Sequence, residues 1–333
     1  MRRESGSSGI AIGLLGDVML GRMVAGALHR QRPEELWAAE LRELAGSLDL
    51  VVCNLECCIS ERGEPTAMIE GKPFFFRGPP AAVDALKAMN IGAVGLANNH
   101  ALDFGEEALE DTLELLHAAG IATAGAGLGA EAARRPAVAA AAELSVGLVA
   151  VTDHPAEYAA APGRWGVAHA TLRRELPEWL AEQIAAVRER CDLVVVFAHW
   201  GPNMSTRPAS WQQGAAVSLL AAGADLVAGH SAHVFHGVGW NGSPVLFDLG
   251  DVLDDYMVDP ELRNELGVFA IWRPHAEQQL ELVGLRLEYC RTRLADGLDA
   301  DWIAARLERA CRELGTTVTR TAEQRFAIEP LRE

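Results

Sequence analysis

The chain has no Cys-x-x-Cys pair, although it carries six cysteines, Cys53, Cys57, Cys58, Cys191, Cys290 and Cys311. A protein of 333 residues needs no covalent staples, so these read as reduced, mostly buried thiols. Positive charge is scarce too. Lys and Arg total 29 against 46 Asp and Glu, a formal charge of -17. A field of that sign repels nucleic acid and anionic membrane and attracts cations, so neither of the first two is expected as a partner; solubility alone also accounts for it. No apolar run reaches the roughly 18 residues of a membrane span. The first apolar segment, 10–15, is too short and too soon followed by Gly16-Asp17 to be the core of an export signal, so a cytoplasmic location is expected. Gly125-Ala126-Gly127 lacks both the Lys-Ser/Thr of a phosphate loop and the spacing of a dinucleotide fingerprint. No internal repeat is evident.

What the sequence does have is a succession of short, β-branched apolar runs, at 10–15, 48–53, 91–96, 144–151, 193–197, 226–228, 245–249, 268–272 and 282–287. Amphipathic helical patterns lie between most of them, at 33–47, 80–89, 105–119, 172–190, 209–222 and 301–314. Strands alternating with helices predict an α/β fold with a largely buried sheet. The later runs come closer together, which predicts a second, mixed or antiparallel sheet. The Ala-rich stretch 126–142 reads as helix plus turn, and 61–77 as a long loop with a short strand at 74–76. The expected organisation is a disordered N-terminus at 1–9, one domain over 10–300, and a helical tail over 301–333.

Polar residues fall where these strands should end. The first ends in Gly16-Asp17, the second in Asn54-Leu55-Glu56, and the third in Asn98-Asn99-His100, with Asp103 just beyond. Further along come His199-Trp200, then His230 and His233, then Gly250-Asp251 with Asp254 and Asp255 behind. Taken singly, an Asp after a strand is usually a cap or turn former, and a lone His is usually a structural residue. Together they place carboxylate, amide and imidazole groups at the carboxyl edge of one sheet, where α/β proteins bind ligands. Buried carboxylates converging without a cation would repel one another and be costly to desolvate. A divalent ion resolves both. The mixed donors suit Zn, Mn or Fe, and the carboxylate-and-amide subset also suits Ca or Mg. Trp200 and Trp240 flank these segments and are read as substrate-stacking residues or as core. His154 and His236 are read as candidates to line the pocket.

The ordered motifs GDVMLGR, NLE, LANNHALDFG, AHWGPN and GADLVAGHSAHVFHGV, spanning roughly 10–255, resemble the CapA-like (poly-gamma-glutamate biosynthesis) family, a branch of the calcineurin-like metallophosphoesterase fold. The resemblance implies a four-layer α-β-β-α sandwich with a metal site at one edge of two packed sheets. It implies Asp17, Glu56, Asn99, His199 and His230 as metal ligands, His100 as an acid/base, and His233 as the last histidine of the closing motif. There are departures. Hydrolases of this fold begin Asp-x-His, but here the third residue is Met19, and the closing motif is Gly-His-x-x-His. A single ion (Ca, Mn or Zn) is therefore expected rather than a two-metal centre.

Two His/Asp pairs, His100 with Asp103 and His233 with Asp251, would suit removal and return of a proton at carbon, each Asp fixing its imidazole. The chain is also similar to CapA-like enzymes found with lasso peptides, which epimerise the C-terminal residue of a ribosomal precursor. On that likeness the expected partner is a peptide, with Arg22 holding its carboxylate and Trp200 or Trp240 a side chain. The alternatives are metal-assisted hydrolysis of a phosphoester or gamma-glutamyl amide, and a non-enzymatic accessory role in polymer synthesis.

Overall fold

The computed structural model describes residues 9–331, so the expectation for the N-terminus at 1–9 falls almost wholly outside the described residues. The chain opens with β1 (Ile12–Val18), α1 (Arg22–Leu28), α2 (Ala39–Gly46) and β2 (Leu50–Leu55). The short β3 (Cys58–Ile59) and β4 (Arg77–Gly78) follow, then α3 (Ala82–Ala88), β5 (Ile91–Gly95), α4 (Gly105–Ala118) and β6 (Ala122–Ala124). Next come β7 (Ala126–Leu128), α5 (Gly129–Ala133), β8 (Ala137–Ala141), β9 (Leu144–Thr152) and β10 (Trp165–Val167). They lead into α6 (Glu178–Arg188), β11 (Leu193–His199), α7 (Ser210–Ala221) and β12 (Leu226–His230). The remainder is mostly strand: β13 (Val238–Trp240), β14 (Pro244–Leu246), β15 (Asp251–Leu253), β16 (Leu266–Trp272), β17 (Leu280–Glu288) and β18 (Arg291–Leu294). It closes with α8 (Gly297–Glu313), β19 (Thr316–Ala322) and β20 (Arg325–Pro330).

Alternation along the strands builds the layers, because successive side chains point to opposite faces. Ile12, Leu14, Leu50 and Val52 of the first sheet meet Leu193, Val195 and Phe197 of the second in one buried core. The intervening Val51, Cys53 and Leu55 face a core formed with the helices at Leu41, Leu86, Leu109 and Leu116. On the far side Val194, Val196 and Ala198 pack on Leu180, Ile184 and Leu219 of α6 and α7. Helices, sheet, sheet and helices thus make the four-layer sandwich of the calcineurin-like metallophosphoesterase fold. α4 illustrates the local logic. Gly105 opens it at φ 81, Glu106 and Glu107 sit in the first turn where the helix dipole favours them, and Ala108, Leu109, Thr112 and Leu116 form the buried stripe.

The first sheet runs β19-β20-β17-β16-β1-β2-β5-β6, with β15 beside β1, and the second runs β13-β14-β12-β11-β9-β8. A second, mixed sheet is present as the spacing predicted, but only some of the late strands enter it: β12, β13 and β14 do, and β15 to β20 do not. β16 joins the first sheet antiparallel to β1, and β17 pairs antiparallel with β16 and so runs in the direction of β1. The second sheet has parallel pairs through β9, β11, β12 and β14, with antiparallel β8 and β13 at its edges. The Ala-rich stretch is only briefly helical, at α5, and ends as β8, where pairing with β9 overrides alanine's helical preference. The tail expected to be helical is helix only to Glu313. β19 and β20 then form a hairpin that pairs with β17 and buries Phe326 and Ile328.

Candidate metal centre and acid–base site

β1 delivers Asp17 in register with Asn54 of β2 on one side and Asp251 of β15 on the other. The approach requires Gly16, because a Cβ there would lie 1.8 Å from the carbonyl oxygen of Gly250. In the other sheet, β11 and β12 place His199 opposite His230. Both sheets thus end in polar residues at the same rim. One donor atom from each of Asp17, Glu56, His233 and Asp251 lies within 4.8 Å of the others, and all four residues are buried. His230 Nδ1 is 3.5 Å from Asp17 Oδ1, and His199 Nε2 is 3.8 Å from Glu56 Oε1.

Many of these atoms have no hydrogen-bond partner. Both carboxylate oxygens of Glu56, Asp251 Oδ2, His199 Nε2, both nitrogens of His230, and Asn99 Oδ1 are buried and unpaired. So many orphaned donors and acceptors facing one another is the signature of a site that fits a divalent cation. Asp17 is otherwise held by Asn54 Nδ2 at 2.7 Å and the Ser231 amide at 3.1 Å. Asn98 Nδ2 donates in turn to Asn54 Oδ1 at 3.2 Å. Sequence reasoning passed over Asn54, Asn98 and Asp248, which takes the Ala232 amide at 2.8 Å and so shapes the loop carrying His233. Their only signal was proximity to strand ends.

Beside the cluster lies a cavity of about 410 Å³ walled by Arg22, Phe74, Phe76, Met204 and Tyr256, with His100 and His233 reaching it. His100 Nδ1 is 2.6 Å from Asp103 Oδ2, and His233 Nδ1 is 2.9 Å from Asp251 Oδ1. Both expected pairs are therefore present, and both open on one space. His233 and Asp251 also belong to the carboxylate cluster, so the clean division between ligands and acid–base groups is not reproduced. Arg22 faces the cavity while pairing with Asp255 at 3.2 Å. The two tryptophans are corrected. Trp200 is 1% exposed and donates Nε1 to the Phe247 carbonyl at 3.1 Å, a core role. Trp240 packs against the inter-sheet core from β13 and does not line the cavity. His154 bonds Asp153 at 2.5 Å, its ring centre 5.3 Å from that of His199, and His236 sits behind, on the Ser205 carbonyl.

Residues 11–256 match the family model described as "Bacterial capsule synthesis protein PGA_cap". The chain belongs to this family. Among its relatives is a "Probable polyglutamine synthesis accessory protein" of Mycobacterium tuberculosis, 32% identical over 311 residues, 88% of this chain and 81% of that protein. Another is the "PGA biosynthesis protein CapA" of Bacillus subtilis, 25% identical over 249 residues, 74% of this chain and 63% of that one. A crystal structure of a hypothetical protein from Thermus thermophilus aligns over 85% of this chain and 96% of its own at 15% identity, with a TM-score of 0.44.

Within this PGA_cap site the electrostatics follow burial. Burial drives Asp17 up to about 6 and Asp248 to about 8, and it holds Glu56 well above the usual carboxylate range, helped by the neighbouring Asp17. Burial lowers His230 to about 3 and His100 to about 4, the latter against the pull of Asp103. His233 is also pressed down by burial, but Asp251, Glu56 and Asp17 outweigh it and raise it well above the ordinary histidine range. Met19 is buried and its sulfur accepts the Gly21 amide at 3.0 Å. All six cysteines are free and buried; burial raises Cys57, beside the centre, to about 12, which leaves no ready thiolate there.

Proposed function

We propose that this chain is a metal-dependent acid–base enzyme that inverts an α-carbon in a peptide-type substrate. The observation that carries the reading is that His100 and His233, each backed by a carboxylate, line the same cavity. In each ring the carboxylate engages Nδ1, which leaves Nε2 without a protein partner and available to the substrate. Without an ion the two imidazoles are pushed in opposite directions, His100 down by burial and His233 up by the carboxylates of Asp251, Glu56 and Asp17. Asp17, Glu56, Asp251, His199 and His230 would hold the divalent ion, with Asn99 Oδ1 free to join them. When bound, the ion supplies positive charge beside a developing enolate oxygen. Arg22 holds a substrate carboxylate, and Phe74, Phe76 and Tyr256 flank the side chain next to it. The finer version of this reading has the C-terminal residue of a ribosomal, lasso-type precursor as the substrate.

Incubation of the metal-loaded protein with candidate peptides in D₂O tests it. The expected result is one deuterium gained at one α-carbon, inverted configuration there, and no cleavage, all lost in His100→Ala with the ion retained. A second reading, hydrolysis of a phosphoester or gamma-glutamyl amide, is favoured by the unpaired Glu56 oxygens, the kind of group that orders a metal-bound water. Cleavage of gamma-glutamyl oligomers with uptake of ¹⁸O from solvent and no deuterium exchange would replace the first reading by the second. Silence of the folded, metal-loaded protein in both assays would leave the accessory role that the Mycobacterium relative's name describes.

A further inference from the structure

We infer that Lys72 is a positioning residue for His100, acting through Asp103. The chain has only two lysines, Lys72 and Lys87, and its other basic residues apart from histidine are arginines. Lys87 is exposed on α3, whereas the Lys72 side chain is 8% exposed and points inward from the long connection between β3 and β4. A buried ammonium persists only where it is paired. Here Nζ donates to the Asn99 carbonyl at 2.7 Å, lies 3.1 Å from Asp103 Oδ1, and sits 5.6 Å from the centre of the Tyr158 ring. A compact point charge with three donors suits that set of partners better than a planar guanidinium would.

The consequence falls on Asp103. Its Oδ1 receives Lys72 Nζ and, at 3.3 Å, the Tyr158 hydroxyl. Its Oδ2 receives the Phe76 amide at 2.7 Å and lies 2.6 Å from His100 Nδ1. Three donors, Lys72 Nζ, the Tyr158 hydroxyl and the Phe76 amide, already converge on this buried group, which fixes its orientation and favours the carboxylate that accepts from His100. His100 must then carry its proton on Nδ1, and Nε2 presents a lone pair. Lys72 also holds the backbone of Asn99, the residue before His100, so one side chain fixes the imidazole through its carboxylate and through its own main chain. Nothing in the composition or in the motifs of the strand ends marks this residue. Its relevance to turnover rests on the acid–base reading above; the tautomer of His100 does not.

The test is therefore spectroscopic first. Long-range ¹H–¹⁵N correlation of the imidazoles in the full, metal-loaded chain should give His100 as a single Nδ1–H form. Finding Nε2–H in the wild-type protein overturns the proposal without any variant. In Lys72→Met the His100 signal should show both tautomers, while Lys87→Met leaves it as in the wild type. If exchange at carbon is found, Lys72→Met should lower its kcat by about 10- to 100-fold with KM and bound metal unchanged, the scale of losing an outer partner of a functional imidazole. A folded Lys72→Met protein with an unaltered His100 spectrum ends the proposal, even if its melting temperature has dropped. Absence of turnover in every assay would remove the proposed function, and the His100 spectra would still decide the role of Lys72.

Discussion

At the scale of single residues, the centre is a set of buried groups whose charges are at odds until a cation arrives. Above about pH 7, where His100, His199 and His230 are neutral in the folded and largely neutral in the unfolded chain, the chelated protein should therefore lose stability as pH rises toward about 8. The sign follows from linkage. Asp248, whose folded value is about 8, and Glu56 and His233, also raised, hold protons in the folded state that the unfolded chain has released. Stability then falls by about 1.4 kcal/mol per pH unit for each proton so held. Urea midpoints at the two pH values should differ in chelator and converge when a divalent ion is restored; equal slopes under both conditions would argue against a cation site. Single substitutions should divide as well. Asp17→Ala, Glu56→Ala and His199→Ala should each lower bound metal by about tenfold or more, the range seen when a ligand sphere is disturbed. His100→Ala should keep the ion and lose turnover. Elemental analysis of the four proteins distinguishes these outcomes, and equal loss in all would collapse the distinction between ligand and proton carrier.

The same scale shows how much of the site the sequence disclosed. Asp17, Glu56, His100, His199, His230, His233 and Asp251 were visible because each comes just after an apolar run in the sequence, and strand ends of an α/β sandwich share a rim. Asn54 and Lys72 were not, because their importance lies in what they touch across 37 and 27 residues of sequence, in Asp17 and in the Asn99 carbonyl. Trp200 and Trp240 could not be assigned between stacking and core, because sequence position near the site segments does not say which face of a strand an indole takes.

At the scale of elements, β1 carries the site. Gly16→Ala would drive a methyl group into the Gly250 carbonyl and part β1 from β15, separating Asp17 from Asp251. A loss of about 3 kcal/mol or more is expected, at the upper end of overpacking in a tight core, together with weakened metal binding. Denaturant titration and metal analysis of the same variant check both. The hairpin β19–β20 makes a comparable contribution far from the centre. Phe326→Ala should cost about 3–5 kcal/mol, measured by denaturant melts, without changing metal affinity. That hairpin was illegible in the sequence for a physical reason. β19 is largely exposed, so Thr316 to Ala322 carries mostly polar, β-branched residues with little apolar alternation to read. The long buried strands, by contrast, announced themselves. The runs at 48–53 and 193–197 are observed as β2 and β11, because a strand covered on both faces must be apolar throughout.

At the scale of the whole molecule, the net charge of -17 acts on whatever approaches the cavity. A polyglutamate chain would be repelled at long range, and a neutral or cationic peptide would not. Raising salt from about 0.01 M to about 0.15 M shortens the screening length from about 30 Å to about 8 Å. The apparent KM for a polyanionic substrate should fall over that range, whereas that for an uncharged peptide should stay level or rise. Initial-rate measurements at the two salt concentrations separate the two substrate classes.

The neighbours of β1 impose an order on assembly. The strand that bears Asp17 comes near the beginning of the chain, yet two of its three partners, β15 and β16, are made after residue 250. A growing polypeptide on the ribosome can pair β1 with β2 but has nothing to lay along its other edge until most of the chain has emerged. The carboxylate cluster therefore cannot be complete during early synthesis. A metal ion would then meet the full cluster only after β15 is made, and a nascent chain stalled before Asp251 would lack one of its carboxylates.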